Sequence, residues 1–230
     1  MKRLPGFFVV LTVVAVLFPS VSLGSSPETA RLERTLKDIR GLKAEFVQIR
    51  EVSLTGESIE AMGFLAFRPP DGFRLVYTAP ESQELVIQGD SLWVVMPSEN
   101  QAQRYPWSLD APGSEVFLLF GGRDRSLAEV FDIVEEPWGS YPVALRLMPK
   151  EADPGYPLEE IRLVVGRNGY PERLFFREVT GDVVVFNFTR IQRDPSDIDD
   201  LIRLRLPPGI DIIDGSPPSR AGGLPIDKKQ

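Results

Sequence analysis

Histidine and cysteine are both absent from the 230 residues. Without imidazole there is no Ser-His-Asp triad and no proton shuttle that works near neutral pH, and without thiols there is no cysteine nucleophile. The usual zinc, copper and haem sites lose their ligands with the same two absences. No disulfide can staple the fold, so hydrophobic burial has to hold it together. A lipid anchor attached through an acylated cysteine is excluded as well. There is no GxxxxGK[ST] string and no GxGxxG opening a helix, so nucleotide phosphates find no recognisable cradle. Positive charge is also scarce: 26 Lys and Arg against 33 Asp and Glu leave a net charge of −7, which disfavours nucleic acid and anionic membrane surfaces as partners.

What is left for catalysis is a pair of carboxylates, as in a glycosidase, and the visible candidates are Glu135-Glu136 and Glu159-Glu160. Neighbours on a strand point to opposite faces, so neither pair can flank one bond. The chain is therefore expected not to be an enzyme and to carry neither cofactor nor metal.

The N-terminus has the three parts of an export signal: basic Lys2 and Arg3, an apolar run over 7–18, and small Ser22 and Gly24 before a cut. Residues 1–24 are expected to be a signal peptide, because the apolar run is about twelve residues where a membrane span needs roughly twenty. Residues 25–213 are expected to form one domain. Residues 214–230, rich in Pro, Gly and charge, are expected to be a flexible tail.

Within the domain, Ser25 or Ser26 can cap a helix, Pro27 suits its first turn, and Leu32, Leu36 and Ile39 share one face before Gly41 stops it. From Leu42 the period changes to two, with Phe46 and Gln48 opposite Val47 and Ile49. Apolar residues on both sides of that strand imply cover on each. Short strand-like runs follow at 59–67, 73–77, 84–88 and 92–96, and more come at 143–148, 158–165, 173–179, 183–191 and 201–206. An apolar patch at 114–120 and a capping box at Ser126 and Glu129 predict two short helical pieces between them. Ten or eleven short strands with three helical pieces predict a mainly β (α+β) fold. Its strongly curved antiparallel sheet forms an open β-barrel, with helices over the concave face.

The run Phe67-Arg68-Pro69-Pro70-Asp71-Gly72-Phe73-Arg74-Leu75-Val76-Tyr77-Thr78-Ala79-Pro80 resembles the outer-membrane lipoprotein carrier family, LolA. Asp90-Ser91-Leu92-Trp93 before Pro97, Gln101, Val165-Gly166-Arg167-Asn168-Gly169 and Leu206-Pro207-Pro208-Gly209-Ile210 follow in the family's order. The resemblance spans nearly all of the chain after the signal. It implies an unclosed barrel with a helical lid over an apolar cavity, in a monomeric periplasmic chaperone.

By this resemblance the cargo is acylated lipoprotein, received from an inner-membrane ABC-type releasing complex and passed to an outer-membrane acceptor lipoprotein. Arg68 would be the lid latch, its guanidinium donating to backbone carbonyls of the lid helices. Phe46, Phe73, Leu75, Tyr77, Trp93 and Met96 would line the acyl-chain cavity, with Leu75 standing where family members often have Trp. Phe117, Leu118 and Phe120 would form the underside of the lid. The same scaffold could instead serve a lipid- or lipoprotein-sensing module or a dedicated carrier of another lipid.

Overall fold

The structure is a computed structural model that describes residues 27–37, 39–108, 117, 119–121, 126–150 and 158–215. The signal segment, Leu118 and the chain beyond Gly215 lie outside the described residues.

Period-two patterning is realised as twelve strands in one sheet: β1 (Leu42–Glu51), β2 (Ser58–Arg68), β3 (Gly72–Ala79), β4 (Gln83–Gln88), β5 (Ser91–Met96), β6 (Gln101–Pro106), β7 (Phe131–Trp138), β8 (Tyr141–Pro149), β9 (Leu158–Val165), β10 (Pro171–Glu178), β11 (Val183–Arg193) and β12 (Asp211–Asp214). Their spatial order is β12-β6-β5-β4-β3-β2-β1-β11-β10-β9-β8-β7. All neighbours are antiparallel except β12, which runs parallel to β6. The sheet therefore consists of two meanders joined where β1 meets β11, and it curls into an open barrel.

Three expectations need correcting. Residues 201–206 are not a strand. They belong to a strap that leaves β11, forms helix α3 (Ile198–Leu201) and crosses the outer face of the sheet. The Arg74 Nη1 donates to the Leu201 carbonyl at 3.1 Å, and the Leu204 N–H donates to Gln88 Oε1 at 3.1 Å. Strand β7 was not anticipated, because it follows helix α2 (Leu127–Val130) with no intervening turn and contains Pro137. Its edge position in the sheet is where a strand proline is tolerated. Asp214, at the expected start of the tail, is the last residue of β12, and the Gly215 N–H still donates to the Arg104 carbonyl.

The two faces differ in what covers them. Inward-facing Leu42, Ala44, Phe46 and Gln48 of β1 are buried, whereas Val47 and Ile49 on the other side are half-buried. On the outer face, Ala66, Val86, Val95 and Ala102 are buried in the region the strap crosses. Helix α1 (Pro27–Lys37) lies across the concave side and buries Leu32 and Leu36 there. The Ser126 hydroxyl caps α2 by accepting the Glu129 N–H, as the capping box predicts.

Candidate functional site

The concave face is paved with aromatic rings brought together from four strands. Phe46 of β1 meets Tyr77 of β3 and Phe186 of β11 edge-on, each with centroids 5.3 Å apart. Phe186 stacks on Phe188 at 5.8 Å and meets Phe176 of β10 at 6.3 Å. Phe73 and Leu75 lie on the same side of β3 as Tyr77, and all three are buried. Met96 is half-buried against this cluster, in line with Leu92 and Val94.

Trp93 does not join them. It projects from the opposite face of β5, where the Arg104 guanidinium lies 5.6 Å from its ring centroid. One residue of alternation separates it from the cavity-facing set.

Two segments close over this surface. A short 3-10 turn presents Phe117, which meets Phe73 at 4.8 Å and Trp107 at 5.5 Å, and Phe120, which sits between Phe67 at 6.4 Å and Phe188 at 5.8 Å. Both rings are buried; Phe117 rests on Phe73 of the expected cavity set, whereas Phe120 rests on Phe67 and Phe188, which lie outside that set. Helix α1 adds Leu32 and Leu36, with Ile39 just beyond it, and is tied down by polar contacts along its length. The Glu28 N–H donates to Glu135 Oε1 of β7 at 2.7 Å, and Glu33 Oε1 accepts the Leu127 N–H at 2.8 Å. Gly169 has φ +83°, and a Cβ there would lie 2.2 Å from the Thr35 hydroxyl oxygen, so only glycine lets the helix sit this close.

The strongest of these ties was not foreseen. Arg31 of α1 donates to the Gly166 carbonyl at 2.7 Å and the Val165 carbonyl at 3.1 Å, while its other side pairs with Glu28. This is the chemistry expected of Arg68, a guanidinium spread over backbone carbonyls, but with the arginine on the helix and the carbonyls on the barrel. Arg68 itself donates to Asp199 of α3 at 2.8 Å, in an exposed pair. A guanidinium on the polar side of an amphipathic helix gives no signal in the sequence that it will reach a turn far along the chain.

Tyr77 and Gln48 form a matched polar pair inside the concave face, whereas the buried Trp107 Nε1 has no hydrogen-bond partner among the described residues. The Tyr77 hydroxyl donates to Gln48 Oε1 at 2.6 Å, and burial raises its pKa above the ordinary value, with Arg50 offsetting only part of the effect. Arg50, further along β1, is clamped by Glu178 and Asp182. The candidate carboxylate pairs do not converge. Glu135 faces the α1 N-terminus, while Glu136 and Glu160 pair with Arg162 on the outer side.

The family model described as outer membrane lipoprotein carrier protein LolA matches residues 37–201, which include the aromatic strands, the turn of Phe117 and Phe120, and α3. The chain belongs to the LolA family. A LolA-family relative from Halorhodospira halophila, an outer-membrane lipoprotein carrier protein, is 26% identical over 218 residues, covering 94% of this chain and 98% of its own. Another of the same description, from Nitrosomonas europaea, is 28% identical over 208 residues, covering 86% and 96%. An uncharacterized conserved protein from Thermus thermophilus has the same fold, with TM-score 0.50 at 15% identity over 82% of this chain and 97% of that one. Among the described residues no helix is long and apolar enough to cross a membrane.

Proposed function

We propose that this LolA-family protein is a periplasmic chaperone that hides the acyl chains of lipoproteins released from the inner membrane and carries them to the outer membrane. The observation that supports this reading is an aromatic concave sheet face covered by the chain's own N-terminal helix and a 3-10 turn. The names of its curated relatives point the same way.

Energetics decide whether such a surface can work without a nucleotide. Burying one CH₂ is worth about 0.8 kcal/mol, so an acyl chain of roughly fifteen methylenes gains on the order of 12 kcal/mol by leaving water. Lifting α1 together with Phe117 and Phe120 exposes those two rings with Leu32, Leu36 and Ile39 at about 1.5–3 kcal/mol each, or roughly 8–15 kcal/mol together. One chain is of the same size as that opening, and the additional chains of a lipoprotein tip the balance. The lid, closing on itself when empty, then competes with cargo and favours its release to an acceptor.

In this reading Phe46, Phe73, Leu75, Tyr77 and Met96 meet the acyl chains, and Phe117 and Phe120 move aside with α1. Arg31 holds the helix shut through the carbonyls of Val165 and Gly166, and Arg68 acts on the strap through Asp199. The cargo arrives from an ABC-type releasing complex and leaves to an acceptor lipoprotein. Purifying the protein from periplasm under native conditions is expected to bring acylated lipoprotein with it, and Arg68→Leu is expected to shift cargo release. Recovery of delipidated protein alone, with Arg68→Leu unaltered in release, overturns the proposal.

A further inference from the structure

The pairing of β10 with β11 stops at Arg173 and Asn187, yet β11 runs on to Arg193 against β1 alone. The break has a local cause. Register with β1 jumps from Lys43–Gln192 to Glu45–Thr189, and Arg190 between them adopts φ 48°, so a β-bulge turns this end of β11. A groove of about 430 Å³ occupies the resulting split. Arg167 and Asn168 of the β9–β10 turn with Glu172 at the start of β10 form one wall, and Phe188, Thr189 and Arg190 form the other.

Three features distinguish this groove from an ordinary surface furrow. Phe188 gives it direct contact with the aromatic interior, because that ring touches both Phe120 and Phe186. Its rim is polar: Arg167 and Asn168 offer guanidinium and amide donors, Glu172 offers a carboxylate acceptor, and Arg190 is oriented by Glu45, which accepts from its Nη1 at 2.8 and 2.9 Å. The turn that forms one wall is also the turn Arg31 grips from α1, so the groove opens beside the lid's own anchor.

A carrier with its cargo's lipid inside must still let the protein part hang outside, and the segment between them is chemically distinctive. It is a thioether-linked glyceryl diester followed by the first peptide units, rich in carbonyl acceptors with a few N–H donors. We propose that the β10–β11 split is a side portal that seats this polar neck of a diacylated lipoprotein, a proposal that rests on the carrier reading above. Acyl chains pass inward over Phe188, while ester and peptide carbonyls stay against Arg167, Arg190 and Asn168, and Glu172 takes a peptide N–H.

The absence of cysteine makes the test direct. Thr189, exposed on the groove wall, and Val134, exposed on the outer face of distant β7, are each replaced by cysteine as the sole thiol. Both variants are mixed with a synthetic diacylglyceryl-cysteinyl tetrapeptide bearing a maleimide on its second residue. Thr189→Cys is expected to couple at least about tenfold faster than Val134→Cys, because the reactive group is held at high effective concentration. Unlabelled lipopeptide should abolish the difference, whereas hexadecanol, which fills the interior without a neck, should reduce it less. Equal coupling by the two variants, with lipopeptide binding intact, refutes the portal and leaves the carrier reading standing. Failure of the unsubstituted protein to bind lipopeptide refutes both.

Discussion

Replacing Arg31 with alanine tests whether α1 is the moving part. Its guanidinium makes two good bonds to carbonyls, at 2.7 and 3.1 Å. Hydrogen bonds to a charged donor contribute about 1.5–3 kcal/mol each when dry. The side chain is 32% exposed, so solvent screening reduces the pair to about 1.5–3 kcal/mol in total. The Glu28 ion pair one turn away adds only about 0.2–0.5 kcal/mol. At about 1.4 kcal/mol per factor of ten, Arg31→Ala raises the open-lid population by roughly tenfold to a hundredfold. Amide hydrogen exchange followed residue by residue should show that acceleration within α1, while amides of β1 and β11 keep their protection. Arg31→Lys recovers only part of it, because one ammonium cannot span two carbonyls as a planar fork does. If α1 exchanges at its original rate in Arg31→Ala, or if protection falls equally along the whole chain, Arg31 is no latch.

Phe120→Ala removes the ring wedged between Phe67 and Phe188, and thermal unfolding should report a loss of about 3–5 kcal/mol, the range for large-to-small changes in a packed core. Trp107 touches Phe117, whereas Trp93 lies on the outer face under Arg104, so lipid binding should change the emission of a Trp93→Phe variant and leave that of a Trp107→Phe variant nearly constant. Burial raises the Tyr77 pKa, so the folded state keeps a proton that the unfolded chain loses above about pH 10. The stability linked to that proton is complete below this pH and is lost progressively as the pH rises from there through the raised folded-state value. Tyr77→Phe should flatten the alkaline loss in denaturant titrations while lowering stability near neutrality, because Gln48 loses its donor.

Sequence periodicity succeeded where one face of an element meets the core. Leu32 and Leu36 on α1 with Ile39 just beyond it, and the meander from β2 to β5, follow from spacing, whereas the assignment of Phe46, Phe73, Leu75 and Tyr77 to the cavity came from the family resemblance. Periodicity failed where burial comes from somewhere other than the sheet interior. Residues 201–206 alternate like a strand, but Ile202 packs against Gly72 from outside the sheet. Strand β12 is only four residues long and exposed throughout, so it has no pattern to read, and parallel pairing to β6 alone defines it. Trp93 was misplaced because hydrophobicity marks a residue as packable without saying on which face. Arg31 was missed because its partners are backbone carbonyls, which every residue carries.

The junction of β1 with β11 has a consequence for how the molecule is made. The earliest strand lies mid-sheet, and one of its flanks is completed only by a strand near the other end of the chain, from Glu51–Val183 to Leu42–Arg193. As the polypeptide emerges N-terminus first, an apolar strand waits with a bare edge until most of the chain has followed. Pairings this distant in sequence form slowly, and exposed edges recruit other chains in the meantime. On the proposed carrier reading, a protein that shields others in transit passes through a stage of its own in which it needs shielding.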